Sequence, residues 1–182
     1  MTSGSAPEGL LAGAPSLRLA NDALMPLLGL GVWRVPAGET EQAVLWALEA
    51  GYRHVDTAAA YGTDLLRRTV ERAEVPPMVN QVEWHPQVWS PSELRAHRDL
   101  GVVLESYSPL GHGRLLRDPA IAEIAGRVGR TPAQVLVRWC LQHGVPTIPK
   151  SRSRERIVEN AQVLDWALGE EDMARLDALR GG

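Results

Sequence analysis

Late in the chain stands a set of residues suited to holding a polyanion. Lys150 and Ser151 precede Ser153, a good helix-starting residue, and Arg156, Glu159 and Asn160 follow at i, i+3 and i+4. That spacing puts the last three on one helix face. A helix N-terminus offers unpaired amide hydrogens, and flanking cations add charge, so a phosphate could be held there. Elsewhere Asp56, Tyr61, Gln81, Glu83 and the run Ser106-Tyr107-Ser108 carry groups that can hold a proton or a polar ligand. Tyr107 also offers a flat ring face. Each has a plain reading too: Asp56 as a helix cap, Tyr61 as a surface or core residue, Lys150 and its neighbours as a solvated helix start.

The elements that must position these residues alternate in type. Helix starts are signalled by Ser90-Pro91-Ser92-Glu93, Asp118-Pro119, Thr131-Pro132-Ala133-Gln134 and Ser153, with Gly101, Gly129 and Gly144 as stops. Glu41–Ala50 and Met173–Leu179 read as two further helices. Between the helices lie apolar runs of strand type: Leu28–Trp33, Arg53–Thr57, Met78–Glu83, Val102–Ser106 and Pro146–Pro149. Strands alternating with helices predict a parallel sheet of βαβ units. Leu17–Leu27, with Asn21-Asp22 at its turn, reads as a hairpin ahead of them. In such folds ligands collect at the carboxyl ends of the strands, which is where Asp56, Tyr61, Asn80, Gln81, Glu83, Tyr107 and Lys150 fall.

Composition narrows the class. The chain of 182 residues is 45% apolar and 23% charged, as expected of one folded domain over 16–182. Met1–Pro15 lacks the basic start and apolar run of a signal peptide and reads as a flexible tail. A net charge of −3 gives no reason to expect nucleic acid or an anionic membrane as partner. The single cysteine, Cys140, cannot form an internal disulfide and reads as a small core residue, in keeping with a cytoplasmic location. Of 19 basic residues only Lys150 is lysine, so no mechanism can use a lysine elsewhere.

Four segments, in order, carry a family resemblance. They are Met25–Trp33 with Gly51–Gly62; Val79-Asn80-Gln81-Val82-Glu83-Trp84-His85-Pro86; Ser106–Gly111; and Ile148-Pro149-Lys150-Ser151 with Arg156, Glu159 and Asn160. In these the chain resembles the aldo-keto reductases. The resemblance implies a (β/α)8, or TIM, barrel and NADPH-dependent reduction of a small-molecule aldehyde or ketone. It implies that Asp56 and Tyr61 belong to a catalytic tetrad, with Tyr61 as proton donor. Gln81 would hold the nicotinamide carboxamide, Tyr107 would stack on its ring, and Ser108 and Leu110 would line the pyrophosphate path. Lys150, Ser151 and Arg156 would take the 2′-phosphate, Glu159 and Asn160 would sit at the adenine, and Trp33 would wall the substrate pocket. His85 has the setting of a structural histidine.

The same resemblance marks a gap. After Tyr61-Gly62 the family pattern runs through three further βα units bearing the catalytic lysine and histidine, whereas Thr63-Asp64 here passes into Leu65–Pro77. On the order of a hundred residues are missing against a typical barrel of ~250. The expected fold is therefore an incomplete α/β barrel of about five parallel strands, family strands 6-7-8-1-2, with a helix over Asp64–Glu74 crossing the gap. Its uncovered edges predict self-association. Three readings follow: a weak or inactive reductase, a catalytically dead NADPH-binding or interaction protein, and a deletion product with no function of its own.

Overall fold

Short polar caps and prolines decide where the helices begin. The computed structural model describes Leu11 and residues 15–31, 37–52, 54–56 and 78–181. Among these, α1 spans Ala37–Glu49, α2 Pro91–Asp99, α3 Pro119–Val128, α4 Pro132–Gln142, α5 Arg154–Ala161 and α6 Glu170–Asp177. The Asp118 carboxylate accepts from the Ala120 and Ile121 amides at 2.9 and 3.3 Å, and Gly129 ends α3 in the left-handed region (φ 64°). Thr131 and Gln134 complete both halves of a capping box on α4. Ser90 caps α2 through the Glu93 amide at 3.3 Å. Helix α1 starts four residues before the predicted Glu41, because its apolar stripe marks the buried face and not the first turn. The predicted helix over Asp64–Glu74 lies outside the described residues.

The hairpin pairs β1 (Ser16–Arg18) with β2 (Leu24–Pro26) antiparallel. The remaining strands pair in parallel: β3 (Leu30–Gly31) with β4 (Val55–Asp56), and β5 (Val79–Glu83) with β6 (Val103–Tyr107). Single parallel bridges join the two pairs, from Thr147 to both Leu28 and Ser106 and from Lys150 to Gly31. Hydrogen-bonded neighbours thus run β5, β6, residues 146–150, β3, β4. The 146–150 segment is a set of bridges and not the expected strand, since Pro146 and Pro149 carry no N–H for a continuous ladder. Close approach of backbones at the centre requires glycine. A Cβ on Gly31 would stand 2.6 Å from the Ile148 carbonyl oxygen, and one on Gly29 would stand 2.7 Å from the His54 ring.

Two apolar clusters pack the helix layer. One joins Val82, Trp84 and Leu104 to Ile121, Ile124, Leu136 and Trp139; the other joins Leu28, Leu30 and Tyr52 to Ala43, Ala47 and Ile157. Fully burying a large side chain stabilises by ~1.5–3 kcal/mol, so these clusters carry most of the fold. Leu11 is also buried in the second cluster. Trp84, Trp89 and Trp139 pack ring to ring at 5.9–6.1 Å, and His143 lies 4.6 Å from Trp139. Helix α6 closes this stack, with Asp177 accepting from the Trp139 indole at 2.8 Å. No helix among the described residues is long and apolar enough to cross a membrane.

Candidate functional site

The pleat of β5 and β6 sorts their side chains into two faces. Asn80 and Val82 are buried on the helix side, where the Asn80 amide donates to His97 Nε2 on α2 at 2.9 Å. Asn80 therefore belongs to the helix layer and not to the ligand rim where the sequence reading put it. Gln81 and Glu83 are half-buried on the opposite, inner face. Register sets Gln81 beside Glu105 and Glu83 beside Tyr107.

The inner face carries a polar network. Gln81 Nε2 donates to Glu105 Oε2 at 3.0 Å, and His54 Nε2 lies 3.1 Å from Glu105 Oε1. His54 Nδ1 faces the Pro26 carbonyl at 3.2 Å; a carbonyl only accepts, so Nδ1 bears hydrogen. Glu105 is thus buried with Oε2 accepting from Gln81, while Oε1 has the His54 ring nitrogen nearby but makes no hydrogen bond. The sequence reading missed this pair. His54 stands two residues before Asp56 and Glu105 two before Tyr107, so the period of a strand would have placed both on the rim residues' face.

One step toward the carboxyl ends, Glu83 Oε1 contacts His85 Nε2 at 3.3 Å and His112 Nε2 at 3.4 Å. His85 is fully buried, and burial holds its pKa below the ordinary value although the Glu83 carboxylate pulls the other way. Burial, and then the nearby Glu83 charge, raise the Tyr107 pKa, so its phenol stays neutral at physiological pH. Ser108 follows with φ 48°, and its hydroxyl meets His112 Nδ1 at 3.3 Å. Leu110 is partly buried against both apolar clusters. Asp56 lies in register with Gly31, which fixes its backbone at the rim. The Asp56 side chain, Tyr61 and Trp33 lie outside the described residues.

A second locus forms where residues 150–156 meet the start of α1. Lys150, Ser151, Arg152, Ser153, Arg156 and Glu39 line a cleft of about 580 Å³. The Ser153 hydroxyl caps α5 by accepting from the Arg156 amide at 3.4 Å, and Ser151 Oγ accepts from the Ser153 amide at 3.2 Å. Exposed cations therefore surround a helix start. Behind it Asn160 is buried, and Glu159 Oε1 accepts the Thr131 hydroxyl at 2.6 Å, tying α5 to α4. Glu39 and Arg152, which the sequence reading passed over, pair across the cleft at 3.1 Å. Among the described residues no cluster of histidine, cysteine and carboxylate side chains is placed to hold a metal ion. Burial raises the Cys140 thiol to a pKa of about 12, so it is inert core.

Known proteins share both the sequence pattern and the architecture. The profile of the Aldo/keto reductase family matches residues 63–180. An aldo-keto reductase of Mycolicibacterium vanbaalenii is 34% identical over 263 aligned positions, covering 94% of each chain. Since 94% of 182 residues is about 171, about ninety of those positions have no residue here, so this chain is internally shortened relative to that protein. Glyoxal reductase of Bacillus subtilis is 47% identical over 115 residues, 63% of this chain and 41% of that one. A solved aldo-keto reductase from a Medee basin deep-sea metagenome library superposes with a TM-score of 0.85 at 26% identity, covering 92% of this chain and 96% of that one. The inner polar face, the cleft at α5 and these likenesses converge: the chain belongs to the aldo-keto reductase family.

Proposed function

We propose that the chain binds NADPH along its carboxyl rim and reduces a small aldehyde or ketone slowly. One observation carries both halves: its only lysine, Lys150, lines the phosphate cleft. There it stands with Arg152 and Arg156, a donor set that fits a phosphate. Ser151 and Arg156 share that role, Glu159 and Asn160 stand beside the adenine, and Ser108 and Leu110 follow the pyrophosphate. Gln81 turns from Glu105 toward the carboxamide, and neutral Tyr107 gives the nicotinamide a flat wall. When bound, the dinucleotide supplies hydride to the carbonyl carbon.

The proton is the slow part. Tyr61 is assigned its donation to the carbonyl oxygen, Asp56 a supporting catalytic role and Trp33 the wall of the substrate pocket. A free tyrosine has a pKa near ~10, and a neighbouring cation lowers such a value by ~1–3 units. With Lys150 committed to the cleft, no other lysine can serve. Each of the five histidines lies against another side chain: His54 meets Glu105, His85 and His112 share Glu83, His97 meets Asn80, and His143 meets Asp177. Each acid–base role is worth roughly 10²–10⁴ in rate, so losing two lowers turnover by several orders of magnitude.

Fluorescence titration with NADPH, followed by cofactor oxidation with glyoxal and a panel of aldehydes and ketones, tests the proposal. Saturable binding with slow turnover that Tyr61→Phe removes is the expected result. Ordinary rates, on the order of 10 s⁻¹, overturn the kinetic half. Absence of binding at millimolar cofactor overturns the whole. A second reading, a non-catalytic cofactor-binding or interaction protein, draws on β4 and β5 ending the pairing order among the described residues, since a strand at a sheet edge can pair with another chain. It predicts a dimer or larger species by solution scattering together with no Tyr61-dependent rate.

A further inference from the structure

The cleft at α5 holds one group that opposes the others. Glu39 lies in the first turn of α1, and its carboxylate approaches Arg152 Nη1 at 3.1 and 3.3 Å from its two oxygens. Both side chains are about half exposed, and both line the cleft with Lys150, Ser151, Ser153 and Arg156. A cation beside a dinucleotide's ribose suits a 2′-phosphate, whereas a carboxylate accepts from a 2′-hydroxyl and repels the phosphate. The chain presents both, paired to each other. We infer that Glu39 is a specificity-determining residue that weakens discrimination between NADPH and NADH, by holding Arg152 and by setting a negative charge in the cleft. This rests on the proposed cofactor function. For the phosphorylated dinucleotide to gain Arg152, that guanidinium must leave Glu39; the unphosphorylated one needs no such exchange.

A built-in control is available. Glu49, in the last turn of α1, pairs with Arg154 of α5 at 3.5 Å and does not line the cleft. Glu49→Gln removes the same charge and an ion pair between α1 and the neighbouring start of α5. Fluorescence titrations of NADPH and NADH with wild type, Glu39→Gln and Glu49→Gln, at low and high salt, therefore separate the local effect from the global one. The expected result is NADPH binding tightened about fivefold by Glu39→Gln, NADH binding unchanged or weaker, and the gain fading in salt. Glu49→Gln should leave the ratio of the two affinities as it is. An unchanged ratio in Glu39→Gln, weaker NADPH binding there, or an equal gain in Glu49→Gln overturns the inference while the cofactor reading stands. If the wild type binds neither dinucleotide, both fall.

Discussion

The cleft at α5 and the proposed proton-transfer corner differ in how they are built. The cleft draws Lys150, Ser151, Arg152, Ser153 and Arg156 from seven consecutive positions around one helix start, and only Glu39 comes from afar. The proton-transfer corner, as proposed, draws on groups from several separate βα units. On the proposed reading, the internal shortening by about ninety aligned positions spares the first and takes partners from the second. On that reading, a binding function encoded in a short local segment outlasts a catalytic one distributed around a barrel.

Several measurements would break or sharpen that contrast. The largest expected effect is on binding. Arg156→Ala should weaken NADPH by about tenfold to a hundredfold, because charge-assisted contacts are worth ~1.5–3 kcal/mol, and should spare NADH. Equal losses for both dinucleotides would show that the cleft does not read the phosphate. Next is the centre shared by the two regions. Gly29→Ala places a methyl group 2.7 Å from the His54 ring and 2.8 Å from Ile148. Overpacking of this kind destabilises by ~1–3 kcal/mol, measurable by urea unfolding. A neutral result would mean that His54 moves freely and that its contact with Glu105 is not rigid.

Smaller effects report on each region's support. Thr131→Ala removes the α4 cap and the hydroxyl held by Glu159, and should cost ~0.5–2 kcal/mol in unfolding free energy. NADPH affinity should fall with it if Glu159 must be positioned for the adenine. Last is pH. His85 has a folded pKa below its ordinary value near 6.5, so the unfolded chain takes up its proton first as pH falls. Its contribution to stability is complete above about 6.5 and is lost progressively as pH falls below that toward the folded value. His85→Gln should flatten the acid side of a melting-temperature profile; an unchanged slope would assign that slope to other groups.

What the sequence discloses follows the range of each interaction. Asp118-Pro119 and Thr131-Pro132 disclose their helices because a cap and the amides that donate to it lie within three residues. The cleft reads for the same reason: Lys150 to Asn160 is one turn and one helix. The inner face reads poorly. Glu105 looks like any carboxylate in an apolar run until His54, fifty-one positions earlier, is folded against it. Asn80 shares its strand with Gln81, and only the pleat, fixed by pairing with β6, sends one to the helices and the other to the interior. The 146–150 segment is apolar enough for a strand, but its two prolines limit it to bridges.

The indole stack beneath α6 gives the molecule an optical gauge. Three tryptophans in mutual contact absorb as coupled chromophores, and the adjacent imidazole of His143 is a ready quencher of their emission. Since Asp177 grips both the Trp139 indole and His143, at 2.8 and 2.9 Å, peeling away the last helix would alter colour and brightness together. The docking of that helix can therefore be followed without attaching any dye.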